Sequence, residues 1–92
     1  MIVSFKDEEA KKLFETGKSR RFSNIASVSL RKLDQLMQAV SLNDLRVPPA
    51  NRLEALQGDR EGQYSIRIND QFRVCFRWKT DGAHDVEIVD YH

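Results

Sequence analysis

An α+β domain, with two N-terminal helices packed on one face of a small antiparallel sheet, is the fold class this sequence predicts. Three observations carry it. Apolar residues recur at steps of three and four as far as Val40. From Tyr64 onward they recur at steps of two. Between these stretches, Pro48-Pro49 can neither continue a helix nor pair inside a sheet. A chain of 92 residues is the size of one domain with one core, so residues 1–92 are read as a single unit.

Residues 2–5 (IVSF) fit a short edge strand. Asp7, Glu8 and Glu9 place negative charge where a helix begins, Ala10, Leu13 and Phe14 follow at helical spacing, and Gly17 suits the position just past a helix end. Lys18, Arg20 and Arg21 form a basic link. Ser23 or Asn24 can cap a second helix. Its apolar stripe reads Ala26, Leu30, Leu33, Met37 and Val40, with Ile25 and Leu36 beside it. The segment Asn43 to Asn51 (NDLRVPPAN) ends it.

In the second half, Tyr64, Ile66 and Ile68 alternate with Gln63, Ser65 and Arg67. Phe72, Val74, Phe76 and Trp78 alternate with Arg73, Cys75 and Arg77. A two-residue loop between these strands would set Ile66 against Arg73 and mix the faces. A three-residue loop, Asn69 to Gln71, pairs Ile66 with Val74 and Arg67 with Arg73, so the hydrophobic pattern selects it. The TDGA turn at 80–83 leads to a last strand through Val86 and Ile88, ending in DYH. Arg67, Arg73 and Arg77, with Arg52 and Glu54, fall on the sheet face away from the helices, as exposed side chains. Two arginines directly opposite repel weakly, which points to an anionic partner; solvated surface arginines are the plainer reading.

Composition narrows the function. Fifteen basic residues against 14 acidic leave a net charge of +1, which excludes a polybasic tail and an acidic disordered segment. Residues 1–50 hold 9 basic and 6 acidic side chains, a net +3; residues 51–92 hold 6 and 8, a net −2. No apolar run approaches the roughly 20 residues of a membrane span, and MIVSFKDEEAKK lacks the apolar region of a signal peptide. Cys75 is alone, and no Cys or His spacing suits structural zinc. These features point to a soluble, cytoplasmic domain without metal or cofactor.

P-loop, dinucleotide, zincin and nucleophile-elbow motifs are all absent. Gly58 and Gly62 bracket a tight turn. Cys75 reads as a packed thiol, since no neighbouring base activates it as a nucleophile. His84, just past a turn, reads as exposed.

The combination says more. MIVSF opens the chain, GKSRR follows the first helix, and RLEALQGDREG occupies 52–62. SIR and QFRVCF form the strands, and the chain ends in DYH. In this order the segments resemble the RelE-superfamily toxins of bacterial type II toxin–antitoxin systems, in particular the HigB branch and its GraT-like members. The resemblance implies a microbial-RNase-like α+β fold and a metal-independent endoribonuclease that cuts mRNA in the ribosomal A site. It implies as partners the ribosome, mRNA and a helix-turn-helix antitoxin of the HigA type.

Such cleavage, by the 2′-hydroxyl on the adjacent phosphorus, needs a base, a cation for the phosphorane charge and an acid for the leaving oxygen. By resemblance, Arg73 is the phosphate clamp, and Asp90, Tyr91 and His92 are the family's terminal triplet. Many HigB proteins carry histidine and lysine where this chain has Glu54 and Gln57, a departure from the pattern. Glu54 resembles instead the glutamate of the YoeB branch, so it is assigned as the base; a surface ion pair to Arg52 or Arg73 is its structural alternative. The acid is His92 or Tyr91, and strict alternation sets Tyr91, not His92, on the face of Arg73. Arg52, Arg67, Asp90, Lys18, Arg20 and Arg21 are assigned to RNA or ribosome binding. The rival reading is a non-catalytic nucleic-acid-binding or regulatory module on the same fold.

Overall fold

Asp7 opens the first helix of the structure, a computed structural model that describes residues 1–91. Its carboxylate accepts from the Glu9 N–H at 3.0 Å, and α1 runs over Glu8–Thr16. Two acidic residues in the first turn meet the positive helix end. Gly17 closes it in the left-handed region (φ 76°), donating to the Leu13 carbonyl at 2.8 Å. Ala10 and Leu13 are the buried face.

The second helix, α2, spans Ala26–Gln38 and corrects two expectations. Neither Ser23 nor Asn24 caps it. A 3₁₀ turn over Ser23–Ile25 runs directly into the helix, with the Ile25 N–H on the Phe22 carbonyl (3.0 Å), and this tightened turn replaces a side-chain cap. Ile25, Leu33 and Leu36 are buried and Ala26 and Leu30 pack against the core as expected, but the buried line also takes in Ser29 and Lys32, and the stripe fails at its C-terminal end. Met37 is exposed, and Val40, beyond the helix end, is 90% exposed. A serine and a lysine on the inner line hide part of it from any count of apolar residues.

Two further 3₁₀ turns, Leu42–Arg46 and Pro49–Asn51, carry the chain across to the sheet. The sheet is an antiparallel meander in chain order: β1 Glu54–Ala55, β2 Tyr64–Arg67, β3 Phe72–Lys79 and β4 Gly82–Asp90. The hairpin register is the expected one, with Ile66 opposite Val74, Arg67 opposite Arg73, and the Ile68 N–H on the Phe72 carbonyl (3.0 Å). Asn69 Oδ1 steadies the loop by accepting from the Gln71 and Phe72 N–H groups, each at 2.8 Å. Residues 2–5 do not form a strand; they touch β4 through two isolated parallel bridges, Ile2 to Ala83 and Phe5 to Val86.

One face of the sheet, through Ile66, Val74, Phe76, Val86 and Ile88, packs with both helices into the core. The other face is not simply solvated. Glu54, Ser65, Cys75 and Glu87 lie in one cross-strand row there, and Ser65 and Cys75 are fully buried. The turn after β1 folds over this row. Arg60 reaches Glu87 (3.2 Å), and Gly62 (φ 90°) comes so close that a Cβ would stand 2.9 Å from Arg77 Nη1. Between Cys75 and Arg77 the register slips by one residue, and Asp85 takes a left-handed conformation (φ 53°) as the bulge. No helix among the described residues is long and apolar enough to cross a membrane.

Candidate active site

Arg73, at the second position of β3, holds three neighbours at once. Its Nε donates to Ser65 Oγ at 2.8 Å and its Nη2 to the Arg52 carbonyl at 2.7 Å. Its Nη1 stands 3.7 Å from Glu54 Oε1. Its Cζ lies 5.9 Å from the centre of the Tyr91 ring, at the outer range of a cation–π contact. The side chain is only 12% exposed, against 54% for Glu54. The expectation of an exposed strand arginine is therefore corrected: a half-buried guanidinium needs partners for the donors turned from solvent, and Ser65 and Arg52 supply them.

Local structure explains the convergence. Arg67 faces Arg73 across the hairpin, and Ser65 is the next residue of β2 on the same face. Arg52 ends the Pro49–Asn51 turn in the left-handed region (φ 46°, ψ 56°), with its carbonyl on the guanidinium. Glu54 then pairs with Ser65 at the head of β1. Val89 lies opposite Arg73, so Tyr91, two residues on, returns to the same side, and its N–H donates to the Gln71 carbonyl at 2.5 Å. The placement of Tyr91 from alternation thus holds. His92 lies outside the described residues.

The other expected site residues divide. Arg67 joins the row of Arg73 and bonds Asp70 at 2.5 Å. Each of the two opposed arginines therefore has its own carboxylate, and their repulsion is no longer an argument for an anionic partner. Arg52 contributes its backbone carbonyl while its side chain is exposed. Asp90 faces the opposite way: it pairs with Phe72, accepts from Gln71 Nε2 (3.1 Å), and lines a cleft of about 300 Å³ with Arg21, Phe22, Phe72 and Ile88. Arg21 is engaged by the Asp7 carboxylate and lies over the Phe22 ring at 4.4 Å. Lys18 and Arg20 are exposed beside it. The basic link thus borders the Asp90 side of β4, away from the hydrogen-bonded group around Arg73.

Burial pushes the Cys75 thiol up to about 11, against weaker pulls from Arg60 and Arg73, so it is a neutral packing group as expected. His84 is corrected: its side chain is 19% exposed and bonds Asp81 at 2.5 Å. Nothing in the sequence marks Ser65 as a site residue. The register sets it diagonal to Arg73, but a serine on a strand carries no mark of burial. Among the described residues no three His, Cys, Asp or Glu side chains converge as a metal-ligand set. The group at Arg73 offers an accessible carboxylate, a fixed cation and a neighbouring phenol, which is the equipment of acid–base chemistry on an anionic substrate.

Comparison with known proteins identifies the family. Residues 3–92 match the family model described as the RelE-like toxin of type II toxin–antitoxin system HigB. Toxin HigB-1 of Vibrio cholerae is 39% identical over 94 residues, covering 100% of this chain and 98% of its own. Endoribonuclease HigB of Proteus vulgaris is 31% identical over 96 residues, with both chains fully covered. Among solved structures, the YoeB–YefM complex from Staphylococcus aureus matches with a TM-score of 0.62 at 18% identity, covering 100% of this chain and 95% of that one. A YafQ variant from Escherichia coli matches at 0.60 and 15%, covering 98% and 91%. At those identities the structural likeness is one of fold. The sequence matches span the full domain that carries Glu54, Arg73 and Tyr91, and the chain belongs to the HigB-like toxins, RelE-like members of type II toxin–antitoxin systems.

Proposed function

We propose that this toxin is an endoribonuclease that cuts mRNA in the ribosomal A site by attack of the substrate's own 2′-hydroxyl, and that an antitoxin of the HigA type neutralises it. The observation that carries the reading is the guanidinium of Arg73, fixed by Ser65 and Arg52 with Nη1 turned toward the half-exposed Glu54 carboxylate. The name of the Proteus vulgaris relative, an endoribonuclease, supports the reaction class.

Glu54 takes the 2′-hydroxyl proton. Arg73 meets the negative charge that builds on the non-bridging oxygens, where its planar fork suits two oxygens at once. A donor fixed beforehand loses no reorganisation energy when that charge appears. Tyr91 or His92 returns a proton to the departing 5′-oxygen. The 2′-hydroxyl already stands beside the phosphorus, so proximity is supplied by the substrate and no metal is needed in the step. Arg52 and Arg67, with the exposed Lys18 and Arg20, hold the RNA or ribosome surface, and Arg21 and Asp90 border the cleft where the flanking strand would lie. Residues 51–92 carry a net −2, so the sheet half holds free RNA poorly and depends on the ribosome to present it. That dependence places the action in the cytoplasm.

The test is primer extension on a defined mRNA, free or seated in 70S ribosomes. Cleavage at the A-site codon, only with ribosomes and lowered about 10²–10³-fold by Arg73→Ala, is the expected result. A folded wild-type protein that binds programmed ribosomes and cuts nothing would favour a binding module instead. Equal cutting of free mRNA would remove the ribosome from the reading.

A further inference from the structure

We infer that the buried Lys32–Asn51 pair is a positioning device for Arg73, linking α2 through the Pro49–Arg52 turn to the carbonyl that holds the guanidinium; this rests on the reading of Arg73 as the phosphate-holding group.

Lys32 is 8% exposed and Asn51 is fully buried. Lysine is seldom buried without a carboxylate, and among the described residues Lys32 has none. Its Nζ donates instead to Asn51 Oδ1 at 2.6 Å. Burial, together with Arg31 and Arg67, holds the Lys32 ammonium below its ordinary value. A leucine at this helix position would fill the space without that cost.

What the ammonium achieves is orientation. With Oδ1 committed to Lys32, the Asn51 amide must point its Nδ2 the other way. That nitrogen donates to Gln35 Oε1 (2.9 Å) and to the Leu45 carbonyl (3.2 Å). One side chain therefore ties together α2, the Leu42–Arg46 turn and the Pro49–Asn51 turn. The next residue is Arg52, held at φ 46°, a conformation that a residue with a side chain keeps only when its surroundings over-determine it. Its carbonyl is the 2.7 Å acceptor of Arg73 Nη2, and two residues later stands Glu54. A small rotation of this turn would move both the carbonyl and the carboxylate against the guanidinium. Lys32 and Asn51 touch no substrate in this reading; they act through Arg52.

The experiment is a double-mutant cycle on the full chain, with steady-state cleavage of mRNA in programmed 70S ribosomes and a thermal melt of each variant. Lys32→Met is expected to lower kcat about tenfold with KM for the ribosome complex within about twofold, since misplacement by a fraction of an ångström weakens only the reacting geometry. In an Arg73→Ala background the same change should alter the rate by less than about twofold, because a positioning group has nothing left to position. Gln35→Ala, a milder change at the edge of the network, should lower kcat about threefold in the same pattern, and decides the matter if Lys32→Met does not fold. Wild-type kcat in folded Lys32→Met, or in Gln35→Ala if that variant decides, while Arg73→Ala has lost activity, would overturn the inference and leave the role of Arg73 standing. Equal losses in both backgrounds would also overturn it, as the mark of a purely structural pair. Wild-type cleavage by Arg73→Ala would remove the role of Arg73, and the inference with it.

Discussion

Arg73 answers to Ser65, Arg52 and Glu54 through one guanidinium, so its removal should act on folding as well as on the proposed cleavage. Ser65 is fully buried, and an orphaned buried polar group costs about 1–3 kcal/mol. Arg73→Ala should therefore lower the unfolding free energy by roughly that amount, read by denaturant titration, in addition to its loss of activity. An unchanged titration midpoint would show that the bonds to Ser65 and Arg52 contribute nothing. The chain end separates the two candidate acids. If Tyr91 is the acid, Tyr91→Phe slows single-turnover cleavage sharply and His92→Gln leaves it near wild type; the reverse pattern assigns His92. Tyr91, 5.9 Å from the guanidinium by way of its ring, is the one of the two that the described residues set beside Arg73. At this scale, what could be read from the sequence followed motif and alternation: that Glu54, Arg73 and Tyr91 share one face and meet there was legible. Ser65, Lys32 and Asn51 were not, because a buried polar residue and a solvated one are written with the same letter, and only packing tells them apart.

Among the elements, the β2–β3 hairpin was legible because a slip of one residue would have turned every apolar side chain outward. The inner face of α2 was legible only in part: Ile25, Leu33 and Leu36 follow the apolar spacing, whereas Ser29 and Lys32 lie on the same face and Met37 and Val40 lie in solvent. The sharpest departure is the chain between α2 and β1, which reads as a simple break and is in fact two ordered 3₁₀ turns that aim Arg52 and Glu54. The first of these turns has a titratable cap. Asp44 Oδ2 accepts from the N–H groups of Ser41 and Val40 at 3.0 and 2.9 Å, and these bonds, that from Ser41 foremost, hold its carboxyl below the ordinary 3.8. A carboxyl lowered in the folded state stabilises it fully above pH 3.8 and loses that contribution as pH falls through the lowered value. Wild-type protein should thus lose thermal stability over this acid range more steeply than Asp44→Asn, which has no proton to gain. Parallel melting curves for the two would show that the capping carboxylate does not couple to folding.

For the whole molecule, the two halves divide the labour. The helical half, at net +3, carries the basic link and supplies Lys32, whose bond to Asn51 joins it to the other half. The sheet half, at net −2, carries the proposed reacting group, Glu54 and Arg73, on the face turned away from the helices. A toxin built this way has a small, preorganised group and little capacity to hold RNA by charge alone, so its chemistry should be confined to a strand presented by a larger body. The central claim is that this group works on the substrate's own 2′-hydroxyl. End-group analysis of A-site mRNA cut on purified ribosomes tests it most directly, with and without a 2′-deoxy nucleotide just 5′ of the scissile phosphate. The account predicts an upstream product ending in a 2′,3′-cyclic or 3′-phosphate, a downstream product beginning with a 5′-hydroxyl, and no cutting of the deoxy substrate. A 5′-phosphate on the downstream product, or undiminished cutting of the deoxy substrate, would contradict it.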